Sequence, residues 1–271
     1  MSRIAHLSDL HFGSTDPAQL EALAGILASD GIEAIVVSGD ITQSGRKHEF
    51  ADAARWFEAL DMDVMVVPGN HDTPVYNLAS RFLKPWSRYE RIAGFAEEPI
   101  EERDSFVFAG LNSARRIRPS LDWSTGKLSR RQLDAIGAAY AEAEGRLRIC
   151  SFHHPILGFE DGGSAGRAVL PKADEVMRTL TDAKVDVVMT GHVHKARITV
   201  VEEDGWSFIL SQAGTAVSTR LRGEAASYNV LTQEGEDRLR LSTHRWGEGG
   251  FAKEVAHRFE RTKAGWQEVS S

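Results

Sequence analysis

Six of the ten histidines in this 271-residue chain fall in five short segments that also carry three aspartates and an asparagine. The segments are Asp9-Leu10-His11, Gly39-Asp40, Gly69-Asn70-His71-Asp72, His153-His154-Pro155 and Gly191-His192-Val193-His194. Carboxylate, amide oxygen and imidazole form a mixed donor set suited to Mn, Fe, Zn or Co, and the absence of a thiolate from it disfavours a structural zinc site. Two divalent cations about 3.5–4 Å apart can clamp the attacking and leaving oxygens of an in-line displacement at phosphorus. Holding them that close requires an anionic bridge, and Asp40, alone on its segment, is the natural one. Histidines and an asparagine fill the other positions without making the site too anionic for a phosphate substrate. Each segment alone is a common turn or loop; the combination carries the chemistry. His6, His48, His244 and His257 lie elsewhere and read as structural or surface residues.

Each segment follows an apolar run that reads as a buried strand. Runs at 4–7, 34–38, 64–67, 105–111, 147–152 and 185–189 alternate with amphipathic helices, the pattern of a largely parallel α/β sheet. Asp16-Pro17 provides an N-cap and a first-turn proline for a helix burying Leu20, Leu23 and Leu27. A second helix shares Phe50, Ala53, Phe57 and Leu60 on one face, a third opens at the Ser129/Gln132 capping box and runs to about 143, and another begins near Pro171. From residue 197 onward, runs at 197–201, 206–210, 227–232 and 238–243 read as antiparallel strands. Open α/β sheets bind ligands beyond the carboxyl ends of their strands, where these five segments fall.

The bulk composition suits a soluble enzyme of one domain over residues 1–271. A net charge of −7 argues against a nucleic-acid partner, whose binders carry basic faces. Cys150 is the only cysteine, so no internal disulfide forms, and it reads as a small buried hydrophobe. No apolar run approaches the ~20 residues needed for a membrane span, and Asp9 interrupts any signal-like core, so the expected location is cytoplasmic.

In these segments the sequence resembles the calcineurin-like metallophosphoesterase superfamily, whose pattern is Asp-x-His, Gly-Asp, Gly-Asn-His-Asp/Glu, a later His, and Gly-His-x-His. The resemblance spans residues 9 to 194 and implies a four-layer α/β/β/α sandwich of two mixed sheets. It implies hydrolysis by attack of a metal-bound hydroxide. One metal would be held by Asp9, His11, Asp40 and His194, the second by Asp40, Asn70, His153 and His192. The family's His-x-Pro spacing selects His153 over His154. His71 would protonate the leaving oxygen, a task that an imidazole suits near neutral pH, and Asp72 would orient it. Gln43 stands where purple acid phosphatases place a tyrosine ligand, and Thr42-Gln43-Ser44-Gly45 replaces the Val-Asp-Arg-Gly run of protein serine/threonine phosphatases. Ser8-Asp9-Leu10-His11-Phe12-Gly13 and Phe152-His153-His154-Pro155 most resemble the bacterial cyclic-nucleotide and glycerophosphodiester phosphodiesterase branch.

The expected substrate is therefore a small soluble phosphodiester, cyclic nucleotides included; a phosphomonoesterase or pyrophosphatase acting on nucleotide or lipid-linked substrates is the alternative, and an inactive scaffold is disfavoured because every expected position is filled. Candidate substrate contacts are Arg115, Arg116 and Arg118, in a 114–127 loop that also holds Trp123, together with His154. The glycine-rich 158–166 stretch is a candidate lid, and the 213–223 loop brings Thr215, Arg220 and Arg222. The C-terminal aromatics Trp246, Phe251, Phe259 and Trp266 are read either as cover for the core or as a homodimer contact.

Overall fold

The computed structural model describes residues 2–76, 78–115, 124–158 and 169–270. Strand β1 (Arg3–Leu7) leads to helix α1 (Pro17–Ser29). The Asp16 carboxylate caps α1 by accepting from the N–H groups of Ala18 (2.9 Å) and Gln19 (3.1 Å), and Pro17 occupies the first turn, where no N–H is missed. Then come β2 (Ala34–Val37), α2 (Lys47–Leu60) and β3 (Asp63–Val66), giving three parallel strands. Next are α3 (Leu78–Leu83), β4 (Ile100–Glu102), β5 (Phe106–Gly110), α4 (Arg130–Ala139), β6 (Leu147–Ser151), α5 (Ala173–Asp182) and β7 (Val187–Thr190). The remainder is all strand: β8 (Arg197–Glu203), β9 (Trp206–Gln212), β10 (Ser227–Gln233), β11 (Arg238–Gly247), β12 (Gly250–Thr262) and β13 (Gly265–Val269).

Hydrogen bonding joins these strands into one mixed sheet in the order β3-β2-β1-β10-β11-β12-β13-β9-β7-β6-β5-β4, with β8 added on β9. Where two separate sheets were expected, a single path runs through the β12–β13 hairpin, and β13 meets β9 only at Gly265 and Ser207. The period-2 alternation of each strand decides what its two faces meet. Ala34 and Val36 join a central cluster with Phe106, Phe108, Ile149 and Met189. Ile35 and Val37, between them, pack with Leu23 and Leu27 of α1 and Phe50, Ala53 and Phe57 of α2. Val107, Cys150 and Val188 instead pack with Leu133 and Ile136 of α4 and Val176 and Leu180 of α5.

Two of the four C-terminal aromatics cover the core. Phe259 and Trp266 are buried in the central cluster, and the Trp266 indole N–H donates to Asp186 at 2.9 Å. Helix α4 stops at Ala139, short of residue 143, as Tyr140 turns inward and its hydroxyl donates to Ile149 O at 2.7 Å. Among the described residues no helix is long and apolar enough to cross a membrane.

Candidate active site

The loops after β1, β2, β3, β6 and β7 converge. Asp9, His11 and His194 form one buried group and Asp40, His153 and His192 another, with candidate ligand atoms within each group no more than 4.8 Å apart. His194 Nε2 lies 3.1 Å and His11 Nε2 3.7 Å from Asp9 Oδ1. His153 Nε2 lies 3.3 Å from Asp40 Oδ2, 3.1 Å from His192 Nδ1 and 3.2 Å from Asn70 Oδ1. The same Asp40 Oδ2 is 4.0 Å from His11 Nε2, so this one oxygen lies between the two groups.

The loops are strained and tied down. Asp9 (φ 52°), His11 (φ 50°), Asp40 (φ 53°), His192 (φ 75°) and His194 (φ 59°) are all left-handed. For a residue with a Cβ this conformation costs of order 1–3 kcal/mol and persists only where surrounding contacts over-determine it. Here Asp9 N donates to Gly39 O and His11 N to Asp40 O, each at 3.0 Å, and His192 N donates to Asp9 Oδ2 at 2.9 Å. Two glycines permit the close approach. A Cβ on Gly39 (φ 94°) would come within 2.6 Å of His153 Nδ1, and one on Gly69 would collide with the Asp40 carboxylate.

Backbone carbonyls orient the rings. His153 Nδ1 lies 2.8 Å from Ser38 O, His194 Nδ1 2.8 Å from Arg220 O and His11 Nδ1 3.4 Å from Thr42 O. A ring donating through Nδ1 offers its Nε2 lone pair inward, the usual arrangement around a ligating imidazole. Asp9 Oδ1 is buried and accepts no hydrogen bond. An orphaned carboxylate oxygen facing imidazole nitrogens fits a divalent cation, as does the mixed donor set.

Charge is balanced pairwise in the bare protein. Burial pushes the Asp9 carboxyl up, but the His194 and His153 imidazoles outweigh it and hold Asp9 well below the usual carboxylate range. Asp40 is likewise driven up by burial and brought well below by His153 and His71. Burial would lower His153, yet the Asp40 carboxylate raises it to about 9, and Asp9 raises His194 against its own desolvation. Burial takes His11 and His192 down to about 3. The electrostatics thus pair Asp40 with His153 and Asp9 with His194, each pair within one ligand group.

His71 and Asp72 occupy the 3-10 turn Asn70–Asp72. His71 N donates to Asp40 Oδ1 at 2.8 Å, its ring Nδ1 meets Gln43 O at 2.7 Å, and its Nε2 is 3.1 Å from Arg220 Nη1. The Asp72 carboxylate makes no hydrogen bond to the His71 ring among the described residues and acts instead on the turn that carries it. The carboxylate accepts from Gly69 N (2.8 Å), Thr42 N (2.9 Å), Thr42 Oγ1 (2.9 Å) and Ile41 N (3.3 Å), fastening the Asp40 loop to the turn, while Gln43 O positions the ring. His154, a candidate substrate contact, is placed inside the fold. It is fully buried with both nitrogens engaged, Nδ1 on Ser113 Oγ and Nε2 on Ser124 O at 2.8 Å each, and its ring packs on His192 with centroids 4.6 Å apart.

Arg115 reaches Gln132 Oε1 at 3.4 Å and borders an open cleft of about 1020 Å³ that it shares with Glu97, Glu98 and Arg131. None of the metal-group residues lines that cleft. Arg116, Arg118, Trp123 and the 159–166 part of the candidate lid lie outside the described residues. The 213–223 loop does reach the site, where Thr215 Oγ1 donates to Asp9 O at 2.7 Å and Arg220 meets both His194 and His71. Ser38, whose carbonyl holds His153, carried no sequence signal because its contribution is a main-chain atom.

A family model described as calcineurin-like phosphoesterase matches residues 2–196. A probable cyclic nucleotide phosphodiesterase of Synechococcus is 25% identical over 254 residues, covering 89% of this chain and 91% of the relative. The glycerophosphodiester phosphodiesterase GpdQ of Enterobacter lignolyticus is 35% identical over 93 residues, 30% of this chain and 33% of that protein. Among solved structures, a dimetal phosphatase from Danio rerio superposes with a TM-score of 0.64 at 13% identity, covering 93% of this chain and 98% of that one. Purple acid phosphatase PPD1 from yellow lupin gives 0.67 at 13% identity, over 94% of this chain and 53% of that one. At these identities the superpositions establish likeness of fold alone.

Proposed function

Because this chain belongs to the calcineurin-like phosphoesterase family, we propose that it is a two-metal phosphodiesterase acting on small soluble phosphodiesters, cyclic nucleotides among them. The observation that carries the reading is Asp40 Oδ2, placed between His153 Nε2 and His11 Nε2 and so shared by the two ligand groups. Asp9, His11, Asp40 and His194 would hold one divalent cation, and Asp40, Asn70, His153 and His192 the other. When bound, such cations supply Lewis-acid charge to phosphoryl oxygens. In the same reading the folded sheet and its two helical faces make the family's four-layer sandwich.

The chain's own groups do the rest. His71 delivers a proton from Nε2 to the leaving oxygen, and Gln43 O holds the opposite nitrogen so that the ring keeps its aim. Asp72 keeps the turn carrying His71 registered against the Asp40 loop. The diester preference is supported by the two names among the relatives and by charge. A diester carries one negative charge and a monoester about two, so carboxylates at the site penalise the monoester more.

The test is a panel of substrates after reconstitution with Mn, Fe, Zn or Co. We expect kcat/KM for bis(p-nitrophenyl) phosphate to exceed that for p-nitrophenyl phosphate at the same metal and pH. Cyclic nucleotides and glycerophosphodiesters then rank the natural class. The reverse order of the two nitrophenyl substrates would replace this reading with a phosphomonoesterase, and turnover confined to nucleotide pyrophosphates would replace it with a pyrophosphatase.

A further inference from the structure

The 213–223 loop is fastened to the loop that carries Asp9 and His11. Thr219 N donates to Ser14 O at 2.9 Å, Ser218 bridges to Thr15, Ser218 Oγ donates to Ser14 O at 3.3 Å, and Arg220 N donates to Ser218 Oγ at 3.1 Å. The Arg220 carbonyl accepts from His194 Nδ1 at 2.8 Å, which pins the main chain one imidazole away from the Asp9 group. The side chain is held far more loosely. Arg220 Nη1 is 3.1 Å from His71 Nε2 and 3.5 Å from Gln43 Oε1, and among the described residues no carboxylate pairs with it.

A half-buried guanidinium resting on the His71 Nε2 atom and an amide oxygen uses few of its five donors. An anion offering two oxygens is a stronger partner, because charge-assisted paired hydrogen bonds to phosphate are about twice as strong as neutral ones. Arg222 adds a second positive charge, near enough to act on both His192 and His194. Asn70 Oδ1 and the Asp40 and Asp9 carboxylates offer the substrate no positive charge, so Arg220, with Arg222 nearby, brings protein positive charge beside the ligand groups.

We propose that Arg220 binds a non-bridging phosphoryl oxygen of the substrate and leaves His71 Nε2 to do so. Arg220 is therefore the phosphate-recognition residue of this site, and its departure frees His71 Nε2 to take up a proton from solvent and face the leaving oxygen with it. The inference rests on the two-metal reading above and extends it to a loop after β9 that carries none of the five motif segments.

The test is isothermal titration of inorganic phosphate into metal-loaded wild type, Arg220→Ala and Arg220→Lys, with metal content and melting temperature measured on each. Because the contact to His194 uses the Arg220 carbonyl, any side chain at this position retains it. Arg220→Ala is expected to keep both metals and bind phosphate at least tenfold more weakly, with Arg220→Lys recovering part of the loss. With bis(p-nitrophenyl) phosphate, KM should rise by a similar factor. Phosphate affinity within twofold of wild type in Arg220→Ala would overturn the assignment. So would loss of metals in both variants, which would make Arg220 structural. If wild type hydrolyses no phosphoester while phosphate binding still depends on Arg220, the proposed activity falls and this assignment stands.

Discussion

The Nε2 atoms of His11 and His194 stand 3.3 Å apart, although 183 residues separate them in the chain. Each ring meets a backbone carbonyl through Nδ1, so both Nε2 lone pairs point into the same space. Two lone pairs at that distance repel unless a proton or a cation lies near both, and Asp9 Oδ1 supplies the matching negative charge. The left-handed backbone at both histidines is part of the same arrangement: conformational energy spent in the loops pre-forms a space for a positive charge.

Removing the shared carboxylate should damage both ligand groups together. Asp40→Ala takes away the anion that lies between them and leaves nothing to offset the repulsion of two cations. Metal analysis of the purified variant should find far less than two equivalents per chain. Two retained equivalents would show that Asp40 does not bridge.

The His71→Ala variant separates proton transfer from metal binding, since His71 meets Asp40 only through its main-chain N–H. Both metals should remain, and kcat should fall by roughly 10²–10⁴-fold for substrates with poor leaving groups. Nitrophenolate needs little protonation, so the loss there should be small. Equal losses for both leaving groups would remove His71 from the proton-donor role.

Most of this geometry was legible because residues able to hold a metal ion betray themselves by type. Asp9, Asp40, His153 and His192 follow strands whose apolar runs are equally plain, whereas the all-apolar Ala34, Ile35, Val36 and Val37 do not reveal which face meets which layer. What stayed hidden was carried by main-chain atoms and long-range pairing. Ser38 O, Thr42 O and Arg220 O orient rings through groups that every residue possesses. Strand β12 escaped notice because Lys253, Glu254 and Arg258 interrupt its apolar pattern, and its burial is confined to its partner-facing end at Phe259. The family pattern placed Asp72 beside His71, but side-chain direction follows the turn, and the turn aims that carboxylate at four donors on Gly69, Ile41 and Thr42.

Asp72 is accordingly predicted to matter for stability before it matters for catalysis. Asp72→Ala leaves buried N–H groups of Gly69, Ile41 and Thr42 without an acceptor, at about 1–3 kcal/mol each before relaxation. A net loss of about 3 kcal/mol would lower Tm by roughly 6–12 °C in a chain of this size. Asp72→Asn, which keeps one acceptor oxygen, should recover part of it. A variant with wild-type Tm and depressed kcat would restore the direct link from Asp72 to His71.

The last prediction concerns pH and the bare protein. With no metal, His153 is raised to about 9 in the folded state by Asp40 despite its burial, against 6.5 unfolded, and Asp9 raises His194 as well. Between pH 6.5 and 9 the folded chain therefore holds more protons than the unfolded one. Its stability from these groups is fully present below 6.5 and is lost as pH rises toward 9. A ligating imidazole must be neutral, so metal binding expels these protons and gains in affinity over the same window, by about tenfold per pH unit for each proton released. Calorimetric Tm of chelator-treated protein should fall from pH 7 to 9, while the gap between metal-loaded and chelated protein widens. Proton release can be counted by titrating metal in buffers of different ionisation enthalpy, with about one proton from His153 expected at pH 7 and any further release assigned to His194. A gap that stays constant or narrows with rising pH, or the absence of proton release, would mean that His153 and His194 are already neutral without metal and that the carboxylates are balanced in some other way.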